Sequence, residues 1–111
     1  MAKYLFEARY TTAGAQGLSR EGGSGRRDVI ANMARELGGK LESFNFTFGE
    51  IDAYVIVDLP DDITAAAVAL TVNQRAGASV KTVKLIAPEE MDQAVKKSVN
   101  YSAPGQRSYV P

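Results

Sequence analysis

Two strand-like runs stand almost back to back in this chain. Residues 40–48, KLESFNFTF, alternate between apolar and polar types, and residues 51–59, IDAYVIVDL, are strongly apolar. Only Gly49-Glu50 separates them. A connection that short allows an antiparallel hairpin and excludes a parallel crossover, which needs about a dozen residues or more. The fold must therefore be built around an antiparallel pair in the middle of a 111-residue chain, a length that suits one domain.

The flanks of the hairpin extend this into a full topology. Residues 3–10, KYLFEARY, form a strand with Tyr4, Phe6, Ala8 and Tyr10 on one side and Lys3, Leu5, Glu7 and Arg9 on the other. Residues 11–25 carry five glycines, at 14, 17, 22, 23 and 25, and read as a loop with one short helical turn near Gln16–Arg20. Ser24 is the expected cap of a helix from about Gly25 to Leu37. In that helix Val29, Ile30, Met33, Ala34 and Leu37 share one stripe, and Gly38-Gly39 stops it. Pro60-Asp61-Asp62 opens an alanine-rich helix over 62–76, with an aspartate placed to cap it. Residues 79–87 are a fourth strand, and Pro88-Glu89-Glu90 opens a short last helix with Lys96 and Lys97 near its end. The order β-α-β-β-α-β predicts an α+β, ferredoxin-like domain over 1–98, with a four-stranded antiparallel sheet and two helices on one face. Residues 99–111 have turn formers and no period, and read as a flexible C-terminal tail.

Two helices leave the second face of such a sheet open. Depending on parity, strand two presents there Phe44, Phe46 and Phe48, or the Leu41/Asn45 row. Strand three presents Tyr54 and Ile56, or Val55 and Val57. Such a patch exceeds what monomers usually expose. The expectation is a homodimer or higher even oligomer, sheet packed on sheet. The alternative is that the last helix and the tail fold back over the open face.

Composition narrows the chemistry. The chain has no cysteine and no histidine. That excludes a disulfide framework, thiol nucleophiles, cysteine-based zinc sites, a Ser-His-Asp triad and a haem ligated by histidine from this chain. No metal or cofactor is expected. Lys plus Arg equals Asp plus Glu at 13 each, and the basic residues are scattered, so neither nucleic acid nor an anionic membrane is an expected partner. No run approaches the ~18 apolar residues of a membrane span, nor does a secretory signal follow Met1, so the expected location is the cytoplasm.

Five features are candidates for a site. Gly22-Gly23-Ser24-Gly25-Arg26-Arg27 leads into a helix, where free amides and two arginines suit an anion. It lacks the Gly-Lys-Ser/Thr ending of a nucleotide loop, and a capping linker with solvated arginines is the plainer reading. Asp52 and Tyr54 share one parity on strand three and face Arg9 or Glu7 and Asn45. A carboxylate in an apolar barrel gains basicity and suits a general base, with Tyr54 positioning a phenolic or enolic substrate. The plainer reading makes Asp52 a cap on backbone amides of the turn. Lys81 and Lys84 lie on opposite faces of strand four, as edge-guarding lysines would. Glu89, Glu90 and Asp92 suit a helix start better than an ion. Tyr101, Pro104, Tyr109 and Pro111 mark a tail that either stays free or reaches a partner.

These segments, in this order, resemble one family. The chain is similar to the GYD domain proteins, a mostly bacterial group, from residue 3 to about 100. The resemblance rests on Tyr10-Thr11, on Glu21-Gly22-Gly23-Ser24 with Arg26-Arg27, and on Leu37-Gly38-Gly39. It continues through Phe48-Gly49-Glu50 with Asp52, Leu59-Pro60-Asp61, Val80-Lys81-Thr82 and Pro88-Glu89-Glu90-Met91. Ile51 stands where the name-giving tyrosine would be. The resemblance implies a dimeric α/β-barrel fold, in which two ferredoxin-like sheets face each other. That wider group contains cofactor-free monooxygenases, chlorite-dismutase-like haem proteins and small-molecule binders. Three functions are therefore open: a homo-oligomeric binder of a small, partly apolar molecule, a structural or regulatory partner without ligand, and a cofactor-free monooxygenase- or isomerase-like enzyme.

Overall fold

A computed structural model of the chain describes residues 1–106. Its elements are β1 (Ala2–Tyr10), α1 (Thr12–Glu21), α2 (Gly23–Glu36), β2 (Lys40–Phe46), β3 (Ala53–Leu59), α3 (Asp62–Gln74), β4 (Ala78–Leu85) and α4 (Pro88–Ala94). The sheet is antiparallel throughout, in the order β2-β3-β1-β4. This is the expected ferredoxin-like α+β arrangement.

Alternation decides which face is covered. Tyr4, Phe6 and Ala8 of β1 are buried, as are Ala53, Val55, Val57 and Leu59 of β3. They meet Ala34 of α2 and Ala65 and Val68 of α3, with Ile30, Met33 and Val72 packed around them. Fully burying one such large side chain contributes roughly 1.5–3 kcal/mol. Val29 and Leu37, expected on the inner stripe of α2, are exposed at 44% and 38%. The stripe that touches the sheet is thus narrower than the periodicity suggested.

Parity on β2 is set by a bulge. Leu41 pairs with Val57 and Ser43 with Ile56, which leaves Glu42 as the extra residue. Leu41, Phe44 and Phe46 consequently all point to the helix side, opposite Val57, Val55 and Ala53. The Leu41/Asn45 row expected from simple alternation is split. The open face carries Asn45 and Tyr54, Ser43 and Ile56, Leu5 and Val83 instead.

The segment 11–25 is the main correction. It is not a loop: α1 and α2 occupy nearly all of it, separated only at Gly22, whose φ of 82° favours glycine. Gly22 caps α2, and Ser24 lies inside the helix as an exposed residue. Thr11 is the cap that sequence reading passed over. Its hydroxyl oxygen accepts from the Gly14 amide at 3.1 Å and donates to the Ala76 carbonyl at 2.6 Å. At the other end of α2, Gly38 adopts φ of 80°, and the Gly39 amide bonds the Ala34 carbonyl at 2.8 Å. Asp61 caps α3 as expected, accepting from the Thr64 amide at 2.8 Å.

The hairpin is longer than two residues. β2 ends at Phe46 and β3 begins at Ala53, so Phe48 and Ile51 fall in the connection. Phe48 is fully exposed, at 102%. The last helix does not fold back over the sheet: every residue of Pro88–Ala94 is exposed. The radius of gyration is 18.5 Å, against roughly 13–14 Å for a compact chain of this length. The exposed α4 therefore projects from the body. Of the tail residues singled out in the sequence, Tyr109 and Pro111 lie outside the described residues. Among the described residues no helix is long and apolar enough to cross a membrane.

Candidate functional site

The two covering helices do not close over the sheet. Between α2 and α3 lies a cavity of about 90 Å³, floored by Phe6, Val55 and Val80 and walled by Ile30, Met33, Val68 and Val72. Phe44 closes one side. The sequence places these residues by ordinary alternation on the strands and helical spacing on α2 and α3. The cavity arises because α3 offers only alanine and valine inward, which fill less space than leucine.

A second, wider recess of about 460 Å³ lies against α1, between Gly14, Gly17 and Leu18 on one side and Thr71, Arg75 and Gly77 on the other. Tyr10, Arg26, Val72 and Ala78 line both spaces. They stand between the inner chamber and this outer recess, its mouth. Two glycines shape this mouth. A methyl group at Gly14 would lie 1.8 Å from the Gly77 carbonyl oxygen, so only glycine lets α1 approach the start of β4. Gly17 faces open space.

Charge enters at the junction. The Arg26 Nε is 2.8 Å from Glu21 Oε1, across the break at Gly22. The Nε–H is nevertheless buried without a hydrogen bond, because its direction misses the carboxylate. Nη2 donates weakly to Glu21 Oε2 at 3.4 Å. Beside them, burial pushes the Tyr10 phenol above its ordinary pKa, with Arg26 opposing that shift and Asp52 and Glu21 adding to it. Tyr10 is un-ionised near neutral pH.

The structure divides the residues singled out in the sequence. Arg26 lines the cleft. Arg27 is exposed beside Asp28 at 3.2 Å, so the two arginines do not converge on one anion. Asp52 precedes β3, and its Oδ2 accepts from the Tyr10 amide at 2.8 Å. The Asp52 amide donates to the Ala8 carbonyl at 2.9 Å. Tyr54 does face Asn45 on β2 and Glu7 on β1, on the open side of the sheet. Arg9 lies at the edge of that face, 3.6 Å from Glu50 and near Ile51 and Lys81. Lys81 and Lys84 fall on opposite faces of β4, an edge strand, with Lys84 reaching Asp62. Glu90 accepts from the Ala87 amide at 2.8 Å at the start of α4.

Sequence reading passed over Tyr10, Glu21, Arg75, Gly14 and Gly17 as parts of one recess. Tyr10 carried a signal, since it shares the parity of Tyr4, Phe6 and Ala8. The others carried none, because a glycine-rich stretch conceals the helix that gathers them.

Fold and cleft together define a small ferredoxin-like α+β protein with an apolar chamber between helices and sheet and a charged mouth. The chain belongs to the GYD domain family, whose model matches residues 4–95. Comparison with curated proteins and with solved structures gives no match.

Proposed function

We propose that this protein binds a small, partly apolar molecule in the cleft between α2, α3 and the sheet, and that it does so as a homo-oligomer. The observation that carries this reading is the partly open inner chamber of about 90 Å³, lined mainly by apolar side chains and adjoining a wider recess. Apolar walls left facing water forgo the burial that a filled core would gain. One leucine in place of an alanine or valine of α3 would fill much of it. A chamber kept at that cost, with a route to solvent, is what a ligand site needs.

Pairing of copies is supported by the open face of the sheet. Leu5 and Ile56 oppose each other at its centre, flanked by the exposed Tyr54 and Val83. Nothing in α4 covers them. A dimeric α/β barrel would place Tyr54, Asn45 and Arg9 in the space between two sheets, where they would form a second, polar lining.

Native mass spectrometry of protein purified gently from its own host tests the reading, alongside the Val72→Phe variant. A phenyl ring at Val72 intrudes on both chambers. Extra mass on the wild type that is absent from a folded Val72→Phe supports the cleft. Extra mass retained by the variant would move the site elsewhere. Ligand-free protein in every preparation would leave only a pairing or regulatory role.

A further inference from the structure

We infer that the ligand of this cleft is a small monocarboxylate with a compact, branched apolar body, gripped by Arg26. The inference rests on the cleft reading above and adds the charge and size of the ligand.

Arg26 is the one charged side chain among the described residues that line the inner chamber. A guanidinium carries five N–H donors in a planar fork. Glu21 pairs with it at 2.8 Å from Nε to Oε1 but out of line with the Nε–H, and Nη2 reaches Oε2 only at 3.4 Å. A donor misaligned in this way gains from an acceptor that lies in line with it. The mouth adds Arg75, so two cations and one anion, Glu21, face the entrance. The balance favours an anion. A carboxylate matches the fork edge to edge with two parallel bonds. A phosphate dianion would bring a third oxygen, which the apolar chamber wall leaves without a donor.

Volume sets the rest of the molecule. A dry cavity of about 150 Å³ takes up benzene. The chamber here is about 90 Å³, which suits a branched body smaller than a benzene ring. Its polar end would then lie at the junction, beside Arg26 and the un-ionised Tyr10 phenol. Glu21 becomes the competitor: as the ligand carboxylate binds, the Glu21 side chain turns out to solvent. The ion pair across Gly22 is a placeholder for the ligand.

The test compares isovalerate with isovaleramide, which share a shape and differ in charge, by titration of the methyl resonances of Ile30, Val72 and Val80. Isovalerate is expected to bind about tenfold more tightly than the amide, a charge-assisted margin. Arg26→Gln should erase that margin, bringing the two probes to similar affinity. Glu21→Gln should tighten isovalerate several-fold and leave the amide unchanged, a response no purely structural role produces. If the two probes bind equally, the inference falls and the cleft reading stands. If neither shifts these resonances, the inference falls, and the cleft reading then depends on the mass carried by the native protein. A response to phenyl phosphate in place of isovalerate would overturn the carboxylate.

Discussion

The Tyr4 hydroxyl donates a hydrogen bond to the Asp62 carboxylate and so ties β1 to the first turn of α3. The same carboxylate receives Lys84 Nζ from β4 at 2.9 Å. One side chain thus joins two strands to the helix that walls the cleft. Tyr4 is 2% exposed, so its ring is core while its hydroxyl reaches the edge. The bond pushes the Tyr4 pKa up from 10.0 to about 12. The bonds from Tyr4 and Lys84 hold Asp62 below the usual carboxylate value.

Tyr4→Phe should therefore lower the melting temperature at pH 7, by about 5 °C if one such bond is lost. The pH dependence carries a sign. Because the folded value of Tyr4 is raised, its contribution is complete below pH 10 and is lost as pH rises toward about 12. Because that of Asp62 is lowered, its contribution is complete above 3.8 and is lost as pH falls through the folded value. Wild-type and Tyr4→Phe melting curves should converge at both extremes. A gap that stays constant across pH would contradict the assignment.

How far a sequence can be read depends on whether the deciding interaction is local. Gly38 stops α2 and Asp61 starts α3 through bonds made within a few residues, so both were legible. The hairpin was legible because its connection is too short for anything else. The bulge at Glu42 was not, since it is written in the pairing of β2 with β3 and not in β2 itself. The same holds for α1. Glycine costs a helix about 1 kcal/mol relative to alanine, so a stretch with five glycines reads as a loop. Its reward is tertiary: Gly14 lets the helix touch Gly77. Because the mouth of the cleft is built on that helix, the most informative part of the candidate site was hidden with it.

Two glycines of α1 should consequently answer differently to alanine. At Gly14 the added methyl meets the Gly77 carbonyl oxygen at 1.8 Å, and backbone must move. Gly14→Ala is expected to destabilise by about 1–3 kcal/mol, an overpacking cost. At Gly17 nothing lies within 4 Å, and Gly17→Ala should be neutral or stabilise by up to about 1 kcal/mol through helix propensity. Urea midpoints of the two variants measure this. Equal effects would mean that α1 is not held against β4.

Asp52 anchors the far end of β1 through the Tyr10 amide. Asp52→Asn keeps the shape and removes the charge from that bond. The expected loss is about 1 kcal/mol, with faster hydrogen exchange at the Tyr10 amide. Tyr10 stands at the junction of the two chambers, so ligand binding should weaken through misplacement of its ring. If stability and exchange were unchanged while binding vanished, Asp52 would be acting on the ligand directly.

The open sheet face yields the last prediction. Leu5 and Ile56 are cross-strand partners at its centre, each only half-buried in the single chain. A second sheet laid over them would remove both from water. Ile56→Lys places a charge at the middle of that contact, where desolvating it costs several kcal/mol. In the single chain the same lysine reaches solvent and disturbs little. Light scattering after size exclusion should therefore give an even oligomer for the wild type and a monomer for Ile56→Lys, with matching circular dichroism. A monomeric wild type at high concentration would remove the pairing proposal and leave the helix–sheet cleft untouched, because no residue of the cleft lies on that face.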